Sequence, residues 1–162
     1  MPPPLRVEEL VPAQVAKASA TINKTLAVAP VRGGEPSEHF TKVVVNVNNA
    51  EYTEALRAAL SNTSLFRGVQ AGEQGDLVLH SEIISQKTTL AIYTLLVHYD
   101  VRSGANGRVL WRGNFYSQVR ALDFPRDPFN PTWLSRARAR TVQDNVRQFI
   151  EALIAELPRS VN

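Results

Sequence analysis

The 162-residue sequence contains no cysteine, which excludes disulfides, thiolate metal sites and the nucleophile of thiol enzymes. Long apolar runs are also missing. Charged or polar residues interrupt every hydrophobic stretch well short of the roughly 20 apolar residues that an α-helical membrane span requires. The opening Met1-Pro2-Pro3-Pro4 has neither the charged nor the apolar region of a secretory signal, so a cytosolic chain and a processed one both fit. Gly-x-Ser-x-Gly and His-Glu-x-x-His do not occur. The Gly33-Gly34 pair lacks the following lysine and hydroxyl of a phosphate cradle and reads as a turn. Glu82, Asp100, Asp123 and Asp127 are scattered without a spacing that sets two acids across a bond. The expectation is a protein that is not an enzyme and has no catalytic residue, no metal site and no cofactor.

What is present suffices for one packed domain: 44% of the residues are hydrophobic, and the length lies within the single-domain range. The net charge is +3, unevenly spread. From Arg102 onward there are ten arginines, no lysine and five acids, so the C-terminal third is the basic end.

Residues 1–24 show no sustained periodicity and are read as a flexible arm or tether, leaving 25–158 as a single α+β domain. Thr25–Val31 reads as a short buried strand, and Val43–Val47 as a further extended run. Asn48 is a helix cap ahead of Asn49–Thr63, where Tyr52, Ala55, Leu56, Ala59 and Leu60 repeat at helical spacing. Strand-like runs at Asp76–Gln86, Thr89–Arg102 and Arg108–Arg120 predict an antiparallel meander. Its odd-numbered residues would face the core, with Tyr99 opposite Trp111 and Leu79 opposite Leu95. Asp123–Pro131 reads as a loop. Thr132–Leu157 carries a helical stripe of Val142, Val146, Phe149, Ile150, Leu153, Ile154 and Leu157, stopped by Pro158. The expected architecture is a two-layer sandwich in the order β-α-β-β-β-α. It has a mixed four-stranded sheet with both helices on one face.

Leu26-Ala27-Val28-Ala29-Pro30-Val31-Arg32-Gly33-Gly34, Tyr52–Leu60, Val97-His98-Tyr99-Asp100-Val101 and Asn145–Leu153 together resemble a family of small bacterial envelope lipoproteins of unassigned activity. The pattern is similar to α/β modules of accessory lipoproteins in envelope transport and assembly systems. The resemblance implies a periplasmic location and membrane anchoring by an N-terminal lipid on a cysteine before residue 1. It also implies partners that are envelope proteins or further copies of the chain. The alternative is a cytoplasmic nucleic-acid-binding domain using the arginine-rich C-terminal helix.

Two surfaces are candidates for contact. With both helices on the odd face of the meander, Ile84, Leu90, Ile92, Leu96 and Tyr116 lie on the other face as an interaction surface, unless the N-terminal arm or the loop Asp123–Pro131 folds over it. On the last helix, Arg136, Arg140 and Arg147 share a side that suits an anionic surface, while Arg138 points elsewhere. Base stacking would need aromatics among these arginines, and only Trp133 is near. The expected register places His80 opposite Thr94, and His98 between Asp76 and Arg112, roughly 13 Å apart along the strand and too far for one metal ion. His39 has no second ligand at a recognisable spacing.

Overall fold

The computed structural model describes residues 6–34, 47–89, 91–121 and 132–161, with side chains in the last stretch from Ser135. Val43 to Asn46, His39, Leu90 and the loop Asp123–Pro131 lie outside the described residues. In chain order the elements are α1 (Val7–Leu10), β1 (Ile22–Val28), α2 (Asn49–Ser61), β2 (Phe66–Ala71), β3 (Leu77–Thr89), β4 (Ile92–Ser103), β5 (Val109–Arg120), α3 (Thr132–Glu156) and α4 (Pro158–Val161). The strands form a mixed five-stranded sheet in the order β2-β1-β3-β4-β5, not the expected four-stranded one. The additional strand, β2, pairs parallel to β1 at the edge. Its sequence, Phe-Arg-Gly-Val-Gln-Ala, carries a glycine and two polar residues and has little strand character of its own.

α2 forms where expected because its cap works: the Glu51 N–H donates to Asn48 Oδ1 at 2.7 Å, satisfying one of the free amides of the first turn. All five residues of its apolar stripe are buried. α2 packs over β1 and β2, and α3 over β4 and β5. Both helices share one continuous core with Leu77, Leu79, Ile83, Leu95, Val97, Tyr99 and Val101, so the helices do lie on one face of the sheet.

The odd residues of the meander face that core, although both registers differ from expectation. In β4 and β5, Val101 pairs with Trp111 and Tyr99 with Gly113, two residues from the expected pairing, which leaves the faces unchanged. In β3 and β4 the hairpin turns between Thr89 and Ile92, with Ala91 at φ 62, rather than near Lys87. Leu79 therefore pairs with Val101 and Ile83 with Val97. Between Ile83 and Ser85 the ladder shifts by one residue. This bulge inverts the alternation in the rest of β3: Gln86 and Thr88 turn towards the helices, where the Gln86 side-chain oxygen accepts from the Val47 N–H at 3.3 Å and Thr88 Oγ1 accepts from Arg138 at 2.9 Å.

Part of the stretch expected to be a flexible arm is docked. Leu10 is fully buried, α1 contacts both α2 and α3, and the Ala18 N–H donates to the Thr63 carbonyl at 2.9 Å. These contacts place the segment on the helical side of the molecule, away from the other face of the sheet.

Candidate functional site

The face of the sheet opposite the helices is bare over β3, β4 and β5 among the described residues. Successive cross-strand rows define it. Leu96 pairs with Tyr116 on one side and with Ser85, beside the bulged Ile84, on the other. Ile84 and Tyr116 are each 53% exposed, while Ile92 and Leu96 are half-buried. Ile92 lies one row from Thr94, between Thr89 and Arg120. Four of the five residues expected on this surface are thus brought to one face, and Leu90 lies outside the described residues. The Tyr116 hydroxyl donates to Gln118 Oε1 at 2.9 Å, which holds the ring along its strand.

The next two rows are polar. Glu82 pairs with His98 and His98 with Asn114, while His80 pairs with Asp100 and Asp100 with Arg112. The expected partners Thr94, Asp76 and Arg112 of the two histidines are therefore replaced, and His80 and His98 are diagonal neighbours rather than four residues apart. Distance no longer argues against a shared metal ion; charge does. Arg102 grips the nearly buried Asp100 carboxylate with two hydrogen bonds, of 2.8 and 3.2 Å. Both carboxylate oxygens are thus already engaged by a cation. His98 is fixed at both ends, by Asn114 at 2.6 Å from Nδ1 and by Asp100 at 3.5 Å from Nε2. Among the described residues no three histidine or acidic side chains are placed to hold a metal ion. The β3 and β4 members of these rows and Arg102, together with Pro30 and Arg32 running beside β3, line a polar cleft of about 310 Å³. The faulty register hid this cleft from the sequence; the i, i+2 pairs His80/Glu82 and His98/Asp100 were its only available signal.

The arginines of α3 do not form one free cationic stripe. Arg140 and Arg147 both bind the Asp144 carboxylate at 3.1 Å, and Arg136 is exposed. Arg138 is almost fully buried, its carbon centre 4.6 Å from the centroid of the Tyr93 ring. Burial lowers its pKa to about 10, against a smaller opposing effect of Tyr93.

The fold is similar to that of a protein from Xanthomonas campestris in the family DUF330, with a TM-score of 0.63 and 12% identity over 87% of this chain and 91% of that one. A hypothetical protein from Chlamydia trachomatis matches with a TM-score of 0.65 and 13% identity over 84% of this chain and 98% of that one. A minor lipoprotein from Acinetobacter baumannii matches with a TM-score of 0.51 and 10% identity over 82% and 93%. At such identities the likeness establishes the fold alone, and a lipoprotein among the neighbours agrees with the resemblance read from the sequence. No protein-family model matches the chain, and no curated protein does.

Proposed function

We propose that this chain is a non-catalytic accessory module of the bacterial envelope that acts through protein contacts made by the open face of its sheet. The observation that carries the reading is the apolar group of Ile84, Leu96 and Tyr116 on the open face, where Ile84 and Tyr116 are each 53% exposed beside the half-buried Leu96. Large apolar side chains gathered on one exposed face mark association surfaces more often than isolated ones do. The shared fold of a minor lipoprotein supports an envelope location, and no described helix is long and apolar enough to cross a membrane. A lipid on a cysteine upstream of residue 1 would then supply the anchor. Pairing of Arg140 and Arg147 with Asp144 weighs against the nucleic-acid alternative, because two of its three phosphate-binding candidates are already engaged.

Fractionation of cells producing the protein from its native gene tests the location. Recovery with the membranes, converted to soluble protein by mutation of an upstream cysteine, is the expected result. Recovery in the cytoplasmic fraction overturns the reading.

A further inference from the structure

Arg32 and Glu82 are partners in a parallel β-bridge, so their side chains leave the sheet on the same face at neighbouring positions. Both side chains are exposed, in a relation from which opposite charges can pair across strands. These two do not pair with each other, and neither has an ion pair or a side-chain hydrogen bond with any other described residue. Both line the polar cleft, next to His80. On the other wall the situation is reversed: Asp100, Arg102 and His98 satisfy one another. The cleft thus sets an unpaired cation and an unpaired anion against a wall whose polar groups are already engaged with one another.

The backbone holds this arrangement in place. The Arg32 N–H donates to the Ser81 carbonyl at 3.1 Å, and the Arg32 carbonyl accepts from the Ile83 N–H at 2.8 Å. Immediately after Arg32 the chain turns at Gly33, where φ is +83 and a Cβ would lie 2.2 Å from the Ile83 oxygen. Arg32 is therefore clamped beside β3 by main-chain contacts, with Pro30 as a stiff wall of the cleft.

We propose that the cleft is a binding site for a small zwitterion, a molecule carrying a carboxylate and a primary ammonium group, as a free amino acid or a short peptide does. The ligand carboxylate takes the Arg32 guanidinium, whose planar fork matches it, and the ammonium takes Glu82. A bare cation is opposed by Arg32 and a bare anion by Glu82, so only a ligand with both charges satisfies both residues. The site goes beyond the proposed contact surface and does not depend on it, since the apolar row lies outside the cleft.

Titration of the isotopically labelled full chain with alanine, dialanine, acetate and ethylammonium, followed by NMR, tests this directly. Saturable shifts at the amides of Arg32, His80, Glu82 and His98 are expected with alanine, dialanine or both, the pair separating a free amino acid from a peptide. Acetate and ethylammonium should each bind at least about tenfold more weakly, because each lacks one charge-assisted hydrogen bond. Arg32→Gln and Glu82→Gln should each weaken the zwitterion by a similar factor with unchanged thermal melting, whereas Arg112→Gln, on the same face but outside the cleft, should leave it unaffected. Absence of saturable shifts with both zwitterions overturns the proposal. So does acetate binding as tightly as alanine, or an equal loss in Arg112→Gln.

Discussion

The hydroxyls of Tyr52 and Tyr99 meet 2.5 Å apart in the centre of the core, both side chains fully buried. Tyr99 donates onward to Asn145 Oδ1 at 2.8 Å, and Asn145 Nδ2 donates to the Phe115 carbonyl at 2.8 Å. One polar chain therefore links α2, β4, α3 and β5. It fixes how the helices sit on the sheet, because a buried hydroxyl without a partner costs more than a buried methyl group. Tyr52→Phe should cost about 1 kcal/mol, leaving the bond from Tyr99 to Asn145 intact. Asn145→Ala should cost about 3 kcal/mol, since it leaves one O–H of the tyrosine pair and the Phe115 carbonyl without this partner and opens a cavity. Urea denaturation of the two variants checks the order.

Alkaline stability follows from the same pair. Burial pushes the Tyr52 hydroxyl well above its ordinary value. It does the same to Tyr99, with the neighbouring Tyr52 adding to the shift. A raised folded-state pKa contributes stability that is fully present below the ordinary tyrosine value near 10 and is lost as pH rises beyond it. Native protein should lose stability steeply above that pH. Tyr52→Phe should show a shallower loss, and equal slopes in a pH series of denaturation midpoints would contradict this account.

The bulge at Ile84 can be separated from the side chain it exposes. Deleting Ile84 leaves Gln86 opposite Leu95 and Thr88 opposite Tyr93, still turned towards the helices, but removes the local bend and added twist that the bulge gives β3, so a loss of about 1 kcal/mol or more is expected. Ile84→Asp keeps the bulge and changes only a solvent-facing group, so its effect should stay within about 0.5 kcal/mol. Thermal melts of the two proteins decide between them.

Two glycines with positive φ give a paired prediction. Gly33 and Gly107 lie at φ +83 and +72, but an added Cβ meets the Ile83 oxygen at 2.2 Å only at Gly33 and has open space at Gly107. Gly107→Ala should therefore cost about 1 kcal/mol for its backbone alone. Gly33→Ala should cost about 3 kcal/mol, because the chain beside β3 must also move. Similar losses in both would show that the close approach at Gly33 is not a constraint.

Helical periodicity was legible in the sequence: Asn49–Ser61 carries an apolar stripe behind a capping asparagine, and Thr132–Glu156 carries one from Val142 onward that ends ahead of Pro158. The core face of the meander was legible for a weaker reason. Its registers were displaced by even numbers of residues, which preserves the faces, and only beyond Ile83 did the bulge break the pattern. Nothing in Ile83-Ile84-Ser85 announces an extra residue, since alternation alone cannot locate a bulge. β2 escaped notice because an edge strand containing Gly68 depends on β1 for its hydrogen bonds. The cleft escaped because it needs true pairings: His80, Glu82, His98 and Asp100 become one cluster only when His80 faces Asp100.

The contact surface is tested most directly by placing a photo-crosslinking residue at Tyr116, or at Arg136 on the helical side as a control, and irradiating cells that produce the protein from its native gene. The account predicts a discrete adduct from position 116 that disappears when Leu96→Asp is added to a chain that still folds, and none from position 136. Adducts from position 136 alone, or an adduct at 116 indifferent to Leu96→Asp, would contradict the claim that the open face of the sheet is where this protein meets its partner.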